Sequence, residues 1–491
     1  MKFSKKDQIT DDYDAIIIGG GLGGLTASNR LASMGHKVLL LESHNKLGGL
    51  ATWFRRKQGQ HIFDVSLHGF PFGMKKNFHK YWSKEIAACV HPLKSVRFKN
   101  PQFDIETDFT KENYMHHLIH TLGADPQKTV KFFEFLEGLN FYDAPKMTNR
   151  ELFNEFFPGR NDIMRFLLEP MSYANGSTLE DPAITFAIVF MNFLSKGVFI
   201  FKGGTDTLIN KLQEQMLENN VDIKLHSQVE KIEVQDGKVV GVRLGGKLIS
   251  AKTVLSNTNI VTTIKKLVGE NEFSQEYMKK TNEVRLNTSS CQVYMGLKPK
   301  ESIPFMGDLF FYSEDEEFTT DKLLSPKVGS QTFSFYYPDT REHLDPRYSI
   351  VSSSNAKYED WENLSDSEYK IRKEFLVERA LDSLSNIVPG IESKIDYLEA
   401  ATPKTLEKFT HHPRGTSFGT KFEGLEVSME LNEQIEGLYH AGSVGIIMSG
   451  WLGAANYGAI QSNKIHEYLD TLENTSLNNQ DSQNEESSLR I

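Results

Sequence analysis

The chain has 491 residues, 39% hydrophobic and 24% charged, with a formal net charge of −10 at pH 7. That length exceeds one simple core and predicts two domains, while the composition is that of a globular protein. The acidic balance comes without a basic stripe, so no nucleic acid partner is expected. The two cysteines, Cys89 and Cys291, form no C-x-x-C pair, which excludes a dithiol redox centre and a thiolate zinc site and fits a reducing cytoplasm.

The first seven residues, Met1 to Asp7, carry no apolar segment of the secretory kind. A buried-strand run, Asp14-Ala15-Ile16-Ile17-Ile18, then breaks into Gly19-Gly20-Gly21-Leu22-Gly23-Gly24. A helix and a second apolar strand, Val38 to Leu41, follow and end on Glu42. Gly19, Gly21 and Gly24 fit G-x-G-x-x-G: one glycine for the tight turn, one for approach to a pyrophosphate, one for helix–strand packing. The helix N-terminus offers free N–H groups to phosphates, and Glu42 stands where a carboxylate accepts ribose hydroxyls. Within a strand–helix–strand unit this pattern predicts a bound dinucleotide.

A second glycine turn, Lys46-Leu47-Gly48-Gly49-Leu50-Ala51, comes next, followed by Phe63-Asp64-Val65-Ser66-Leu67-His68. Residues 76–195 read as mostly helical; Asp125-Pro126 is an N-cap and first-turn pair for a helix carrying Val130, Phe132, Phe133 and Phe135. Aromatics are dense here: Phe141, Tyr142, Phe153, Phe156, Phe157, Phe166, Phe186, Phe190, Phe193, Phe199 and Phe201 continue the series. Most should be core, with about a quarter in contact with a flat apolar ligand. Phe153, Phe156, Phe157 and Phe166 are read two ways, as a patch docking on a membrane or as a buried helical subdomain. The apolar stretch from Ile184 to Phe201 is interrupted by Asn192, Ser195, Lys196 and Gly197 and is too broken to span a bilayer.

Gly203-Gly204 opens an amphipathic helix with Leu208, Leu212, Met216 and Leu217 spaced for one face. Strands are expected at 221–225, 229–234 and 239–242, with Asp236-Gly237 as the hairpin turn between the last two, and Thr253 to Asn257 closes the unit. In 271–424, Ser290 to Met295 and Thr332 to Tyr336 read as strands, and Ser365-x-x-Glu368 is a capping box. Gly437 to Ser443 is a short strand entering a glycine turn, before a helix from Trp451 to Tyr468. Residues 471–491, rich in Asn, Ser, Gln and Glu, are expected to be a disordered tail.

The acid-then-double-glycine order, the Gly203-Gly204 helix and the segment from Gly442-Ser443 to Gly458 resemble the FAD-binding amine-oxidase superfamily. Within it the chain is most similar to the phytoene desaturase, carotenoid isomerase and retinol saturase branch. Ala401-Thr402-Pro403-Lys404-Thr405, with Phe409-Thr410 and Arg414 to Gly419, is similar to a late signature of that branch. The resemblance implies an α/β fold: a Rossmann-like FAD-binding domain of the amine-oxidase type, from 12–75, 196–270 and 425–470, with an inserted α+β substrate domain from 76–195 and 271–424. It implies that Gly19, Gly21, Leu22, Gly23 and Gly24 hold the pyrophosphate and Glu42 and Ser43 the adenosine ribose. Gly48, Gly49 and Leu50 would pass the pyrophosphate and the isoalloxazine edge, and Val229 would meet the adenine. Gly442 and Ser443 would lie by the ribityl phosphate, and Leu452, Gly453 and Ala454 would begin a helix pointing at the flavin. Ser443 departs from the acid relatives usually carry, and Val444 to Met448 from their Pro-Gly loop.

A sheet gathered from three distant segments suits a longer ligand than a nicotinamide nucleotide, and there is no second G-x-G-x-x-G for a separate NAD(P)H domain. Electrons would pass to or from oxygen, a quinone or a reduced nicotinamide. The resemblance implies oxidoreduction of a long apolar polyene or isoprenoid lipid, by desaturation, isomerisation or double-bond saturation. The location would be cytoplasmic, with or without peripheral contact at the inner face of a membrane. The rival readings are an amine or porphyrinogen oxidase and a non-catalytic flavin-binding protein. Asp64, His68 and Arg414 are the weak candidates for catalytic groups. No metal is expected: His116, His117 and His120 lack a third ligand, and His411-His412 lacks partner spacing.

Overall fold

The computed structural model describes residues 12–57, 60–140, 146–341 and 348–488, with side chains as far as 475 in the last stretch. The opening unit folds as its pattern requires: strand β1 (Asp12–Ile18), helix α1 (Leu22–Ser33) and strand β2 (Val38–Leu41). The apolar residues of both strands are buried, as in a parallel sheet covered on both faces. At Gly24 a Cβ would collide with the Gly19 carbonyl oxygen, so only glycine lets the helix close onto the turn.

β1 is flanked by β2 on one side and Lys247–Ser256 on the other, both parallel to it, and Asp222–Lys224 extends the sheet beyond β2. The long strand Lys247–Ser256 then serves two neighbours. Its first half pairs antiparallel with Lys238–Leu244, while Val254 to Ser256 pair in parallel with Leu438–His440. Lys231–Gln235 completes the meander through the expected turn, where Asp236 and Gly237 have φ of 52° and 74°, the sign a type I′ hairpin needs. One sheet is therefore assembled from the beginning, middle and end of the chain.

A second seven-stranded sheet has the order Ile395–Ala401, Ser289–Leu297, Ser349–Ala356, Ser330–Tyr336, Leu309–Ser313, Val96–Asn100, Phe103–Thr107. Its last two strands lie in a stretch expected to be mostly helical. Val96 and Phe98, like Phe103, Ile105 and Thr107, alternate inward at period two, and this short strand signal is outweighed by the helices around it. Helices cover one end of this sheet: Pro126–Gly138, capped by Asp125 as expected, with Asn149–Phe156, Asn161–Asn175 and Ala183–Leu194. Phe153, Phe157 and Phe166 are buried among them and Phe156 is half-buried against Phe132 and Phe135, so these residues form core and not a membrane patch. Phe141 and Tyr142 lie outside the described residues.

The capping box at Ser365 opens Asp366–Ile387, which backs the second sheet. The last helix, Gly450–Ser488, runs well past residue 471, where the composition suggests a disordered tail. The Leu, Glu and Gln residues there favour helix strongly enough to continue one already nucleated. No helix among the described residues is long and apolar enough to cross a membrane.

Candidate functional site

A single cavity of about 1230 Å³ runs from the glycine turn of the first sheet to the face of the second. Of the residues expected to hold a cofactor, Gly19, Gly21, Leu22, Gly23, Glu42, Ser43, Gly48, Gly49, Leu50, Val229, Ser443, Leu452, Gly453 and Ala454 all line it. Gly24 and Gly442 stand behind the wall; a Cβ on Gly442 would strike the Thr258 carbonyl oxygen, so both shape the backbone and neither is a lining residue.

The nucleotide end is built mainly from main chain. Gly21 caps α1 in an extended conformation, and no side chain occupies the helix N-terminus, nor does an acid in its first turn. The unsatisfied N–H groups and the positive dipole end therefore face the cavity. The Gly48 N–H donates to the Gly20 carbonyl at 2.7 Å, which pins the second glycine turn against the first. Glu42 is 8% exposed; its carboxylate accepts from the N–H groups of Gly20 and His44, each at 2.7 Å. A carboxylate has about four acceptor positions, so two main-chain donors leave room for ribose hydroxyls. Among the described residues, the main-chain groups of Val229 make no hydrogen bond, which leaves a peptide edge free for a base.

Two buried side-chain atoms on the cavity wall, Asn259 Nδ2 and Thr52 Oγ1, have no partner. Buried polar atoms without partners are uncommon, and here they face a space shaped for a polar ligand. With the uncapped helix and the narrow glycine passage, they fit a phosphate-bearing dinucleotide. The sequence reading missed Asn257: its Nδ2 donates to the Gly19 carbonyl at 3.1 Å, and a Cβ on Gly21 would come within 2.9 Å of that nitrogen. Its signal was available, since an apolar parallel strand ending on Asn beside the glycine turn places a short amide in the crevice at the strand ends.

Residues 444–449 form a tight loop beside the cavity, with Ile446, Ile447, Met448 and Ser449 on its wall. Val444 and Met448 bridge across it, and Ile446 takes φ of 64°. A β-branched residue in the left-handed region is strained, and it is held there at 1% exposure on the cavity wall. From Gly450 the last helix starts with its N-terminus at the cavity, and the Trp451 indole donates to Ser66 Oγ at 3.1 Å and stacks on Phe70.

The three catalytic candidates separate. His68 lines the cavity, with Nδ1 2.8 Å from Ser334 Oγ. Burial pushes its pKa down to about 4, partly opposed by the Asp64 carboxylate, so the imidazole is neutral near pH 7. Asp64 does not reach the cavity. It accepts from the Thr205 N–H at 2.7 Å and pairs with Arg341 at 2.7 Å, and Arg341 also pairs with Asp206. A Cβ on Gly204 would overlap the Arg341 guanidinium. The Gly203-Gly204 turn thus makes room for an ion-paired clamp and not for a cofactor. Arg414 is turned outward, pairing with Glu359 with its side chain 44% exposed. Its neighbours His411, His412, Ser417 and Phe418 line the cavity instead, with Ala401, Thr405, Phe409 and Thr410 of the same late segment.

Of the aromatic residues expected around a ligand, Phe193 alone lines the cavity among those described; the rest fill cores, and Phe109, Phe311 and Tyr173 take the place expected of them. The His116 and His120 rings lie against each other, tilted by 43° with centroids 4.7 Å apart. One group with metal-ligand spacing occurs among the described residues, His36, His466 and Asp470, half-buried and outside the cavity.

The family model for flavin-containing amine oxidoreductases matches residues 22–462. Prolycopene isomerase from Arabidopsis thaliana is 27% identical, covering 94% of this chain and 84% of that protein. The 4,4'-diaponeurosporene oxygenase of Staphylococcus aureus is 23% identical over 87% of this chain and 93% of its own. Among solved structures, an oxidoreductase from Methanosarcina mazei superposes with a TM-score of 0.64 at 16% identity, over 91% of this chain and 99% of that one. A putrescine oxidase with putrescine bound gives 0.64 at 12%, over 93% and 99%. The chain therefore belongs to the flavin-containing amine oxidoreductase family, as an FAD-dependent oxidoreductase.

Proposed function

We propose that this protein acts on a long polyene or isoprenoid chain, and that cis–trans isomerisation is its reaction, ahead of desaturation or saturation. The carrying observation is the continuity of the cavity. Its volume exceeds the ~300–1,000 Å³ of an ordinary small-molecule site. Beyond the cofactor end it continues between Met171, Ile188, Val189, Phe193 and Phe311, an apolar passage suited to a slender chain. The carotenoid names of the relatives support the same reading.

When bound, FAD supplies the capacity to take or give hydride equivalents at the substrate chain. Gly19, Gly21, Gly23, Glu42, Gly48 and Gly49 would hold its dinucleotide, and Gly453 and Ala454 would face its ring. The protein's own part is to hold the chain straight and keep water away, for which Ile446, Trp451 and the helical wall serve. His68 is the imidazole hydrogen-bonded to the substrate-side sheet, and in its neutral form it donates or accepts a hydrogen bond without carrying charge. Among the described residues the bases on the cavity wall include the imidazoles of His44, His68, His411 and His412, and its acids are few. The carboxylates that line it are Glu42, engaged by N–H groups, and Glu399, paired with Arg56 at 2.6 Å. An ammonium substrate would find no free counter-charge, which disfavours the amine oxidase reading.

The test is anaerobic incubation of pure holoenzyme with a poly-cis polyene, the flavin oxidised or reduced, followed by chromatography and mass measurement. Isomerised product of unchanged mass is expected. Products two mass units lighter or heavier would replace isomerisation by desaturation or saturation. A flavin bleached by amines and indifferent to every polyene would overturn the reading.

A further inference from the structure

The two walls of the substrate passage differ in chemistry. The helical wall is mostly apolar: Pro170, Met171, Ile188, Val189 and Phe193 line it, with Tyr173, Asn175 and Asn192 as its polar members. The opposite wall is the second sheet, and its pairing register puts polar residues in adjacent rows. Ser290 pairs with Asn355, Gln292 with Ser353, and Ser353 with Thr332 on its other side. All five line the cavity. The reverse face carries Cys291, Val293, Met295, Phe333 and Ile350 into an ordinary apolar core. A sheet covered on both faces is normally apolar on both, so the polar rows call for a ligand-side explanation.

Their hydrogen-bonding capacity is only partly used. Gln292 is committed: Nε2 donates to the Val65 carbonyl at 2.8 Å and Oε1 accepts from Tyr294. Ser290 shares a hydrogen bond with Ser417 at 2.9 Å. Asn355 Nδ2 donates to the Ser172 carbonyl at 3.1 Å, which fixes the amide and turns Oδ1 elsewhere. Among the described residues, Asn355 Oδ1 and the Thr332 hydroxyl have no partner, and Ser353 Oγ reaches only His68, at 3.5 Å. Thr332, Ser353 and Asn355 are each below 9% exposed. Leaving such groups unpaired against a hydrocarbon is unfavourable.

We infer that Thr332, Ser353 and Asn355 form a specificity site for a neutral oxygen function on the isoprenoid substrate, a hydroxyl before all others. This rests on the polyene reading above and narrows it. Two hydroxyls that donate or accept, beside an amide oxygen that only accepts, satisfy an alcohol in both directions. No free cation stands among these three residues, so a carboxylate is disfavoured.

The experiment compares a hydrocarbon polyene with its terminal alcohol and terminal carboxylic acid of equal length, titrated in micelles into anaerobic holoenzyme, with the flavin difference spectrum as readout. The alcohol should bind at least about tenfold more tightly than the hydrocarbon and the acid. Thr332→Val, close to isosteric, and Ser353→Ala should each shrink that ratio by about three- to tenfold and leave hydrocarbon affinity equal or improved, which also shows that the variants fold. Equal or tighter binding of the hydrocarbon or the acid, or an alcohol preference untouched in both variants, overturns the inference while the polyene reading stands. If none of the three compounds perturbs the flavin, the polyene reading fails and takes this inference with it.

Discussion

The two ends of the cavity are made from different material. At the end proposed for the nucleotide the wall is mainly peptide groups, the open N-terminus of α1, the two glycine turns and the edge at Val229, with the Glu42 carboxylate beside them. At the substrate end it consists of side chains, presented by strands from 289 to 356 and helices from 161 to 194. A site made of backbone constrains the local sequence tightly, because only glycine permits the geometry. A site made of side chains constrains it loosely, since any residue with the right face can stand there.

The sharpest way to break this contrast is to give the nucleotide end a side chain. Gly21→Val is expected to abolish FAD binding. The added Cβ meets only the Asn257 amide, 2.9 Å away, and no main chain, so the fold should survive. Flavin absorbance and circular dichroism of the purified variant check both halves. Normal flavin occupancy would show that the glycine turn is not where the dinucleotide passes.

The same contrast explains what was legible in the sequence. Glycines 19, 21, 24, 48 and 49 could be read because each is tied to a turn or a close approach within a few residues. The meander through Asp236-Gly237 and the capping box at Ser365 were legible for the same local reason. The strands Val96–Asn100 and Phe103–Thr107 were not, because five residues of alternation are too few to outweigh helices on both sides. Nor were Thr332, Ser353 and Asn355, whose meaning lies in register between strands distant in sequence. Asp64 misled because it follows a glycine turn that does line the cavity, yet its strand delivers it to Arg341 behind the wall.

That clamp gives the next largest effect. Arg341 is flanked by Asp64 and Asp206, their side chains 2% and 6% exposed. Arg341→Met should strip two buried carboxylates of their close counter-charge, leaving Asp64 only its Thr205 donors and Asp206 only Arg55 at 4.0 Å, and cost about 3–5 kcal/mol, seen as a lowered denaturant midpoint. Because the clamp joins the helix at Gly204 to the edge of the second sheet, substrate binding should weaken in the same variant. An unchanged midpoint would mean the carboxylates find other partners.

A pH titration probes burial behind the cavity, at the last strand of the first sheet. His440 is fully buried, its Nε2 2.9 Å from the Thr258 carbonyl and its Nδ1 2.6 Å from Ser428 Oγ. Burial depresses its pKa to about 4 from an ordinary 6.5. The unfolded chain therefore binds the proton first. Stability is intact above about pH 6.5, falls as pH drops toward about 4 and levels off below, a loss of about 3 kcal/mol from this group. His440→Gln should flatten that part of the profile. His68 shows the same direction but faces the cavity, so saturating ligand should alter its titration and leave that of His440 unmoved.

The smallest expected effect is the most discriminating about the late segment. Arg414 sits within the signature shared with the carotenoid branch, yet its side chain pairs with Glu359 at the surface and its guanidinium lies 5.6 Å from the centre of the Tyr358 ring. Exposed pairs contribute about 0–1 kcal/mol. Arg414→Ala should change stability within that range and leave turnover unaltered, whereas Gly415→Ala, whose Cβ would overlap the Pro403 carbonyl, should disturb the turn carrying Ser417 and Phe418 to the cavity. A large loss of turnover in Arg414→Ala, with flavin content and stability preserved, would mean that this side chain swings inward when substrate binds. The division between a wall of backbone and a wall of side chains would then need a third, mobile contributor.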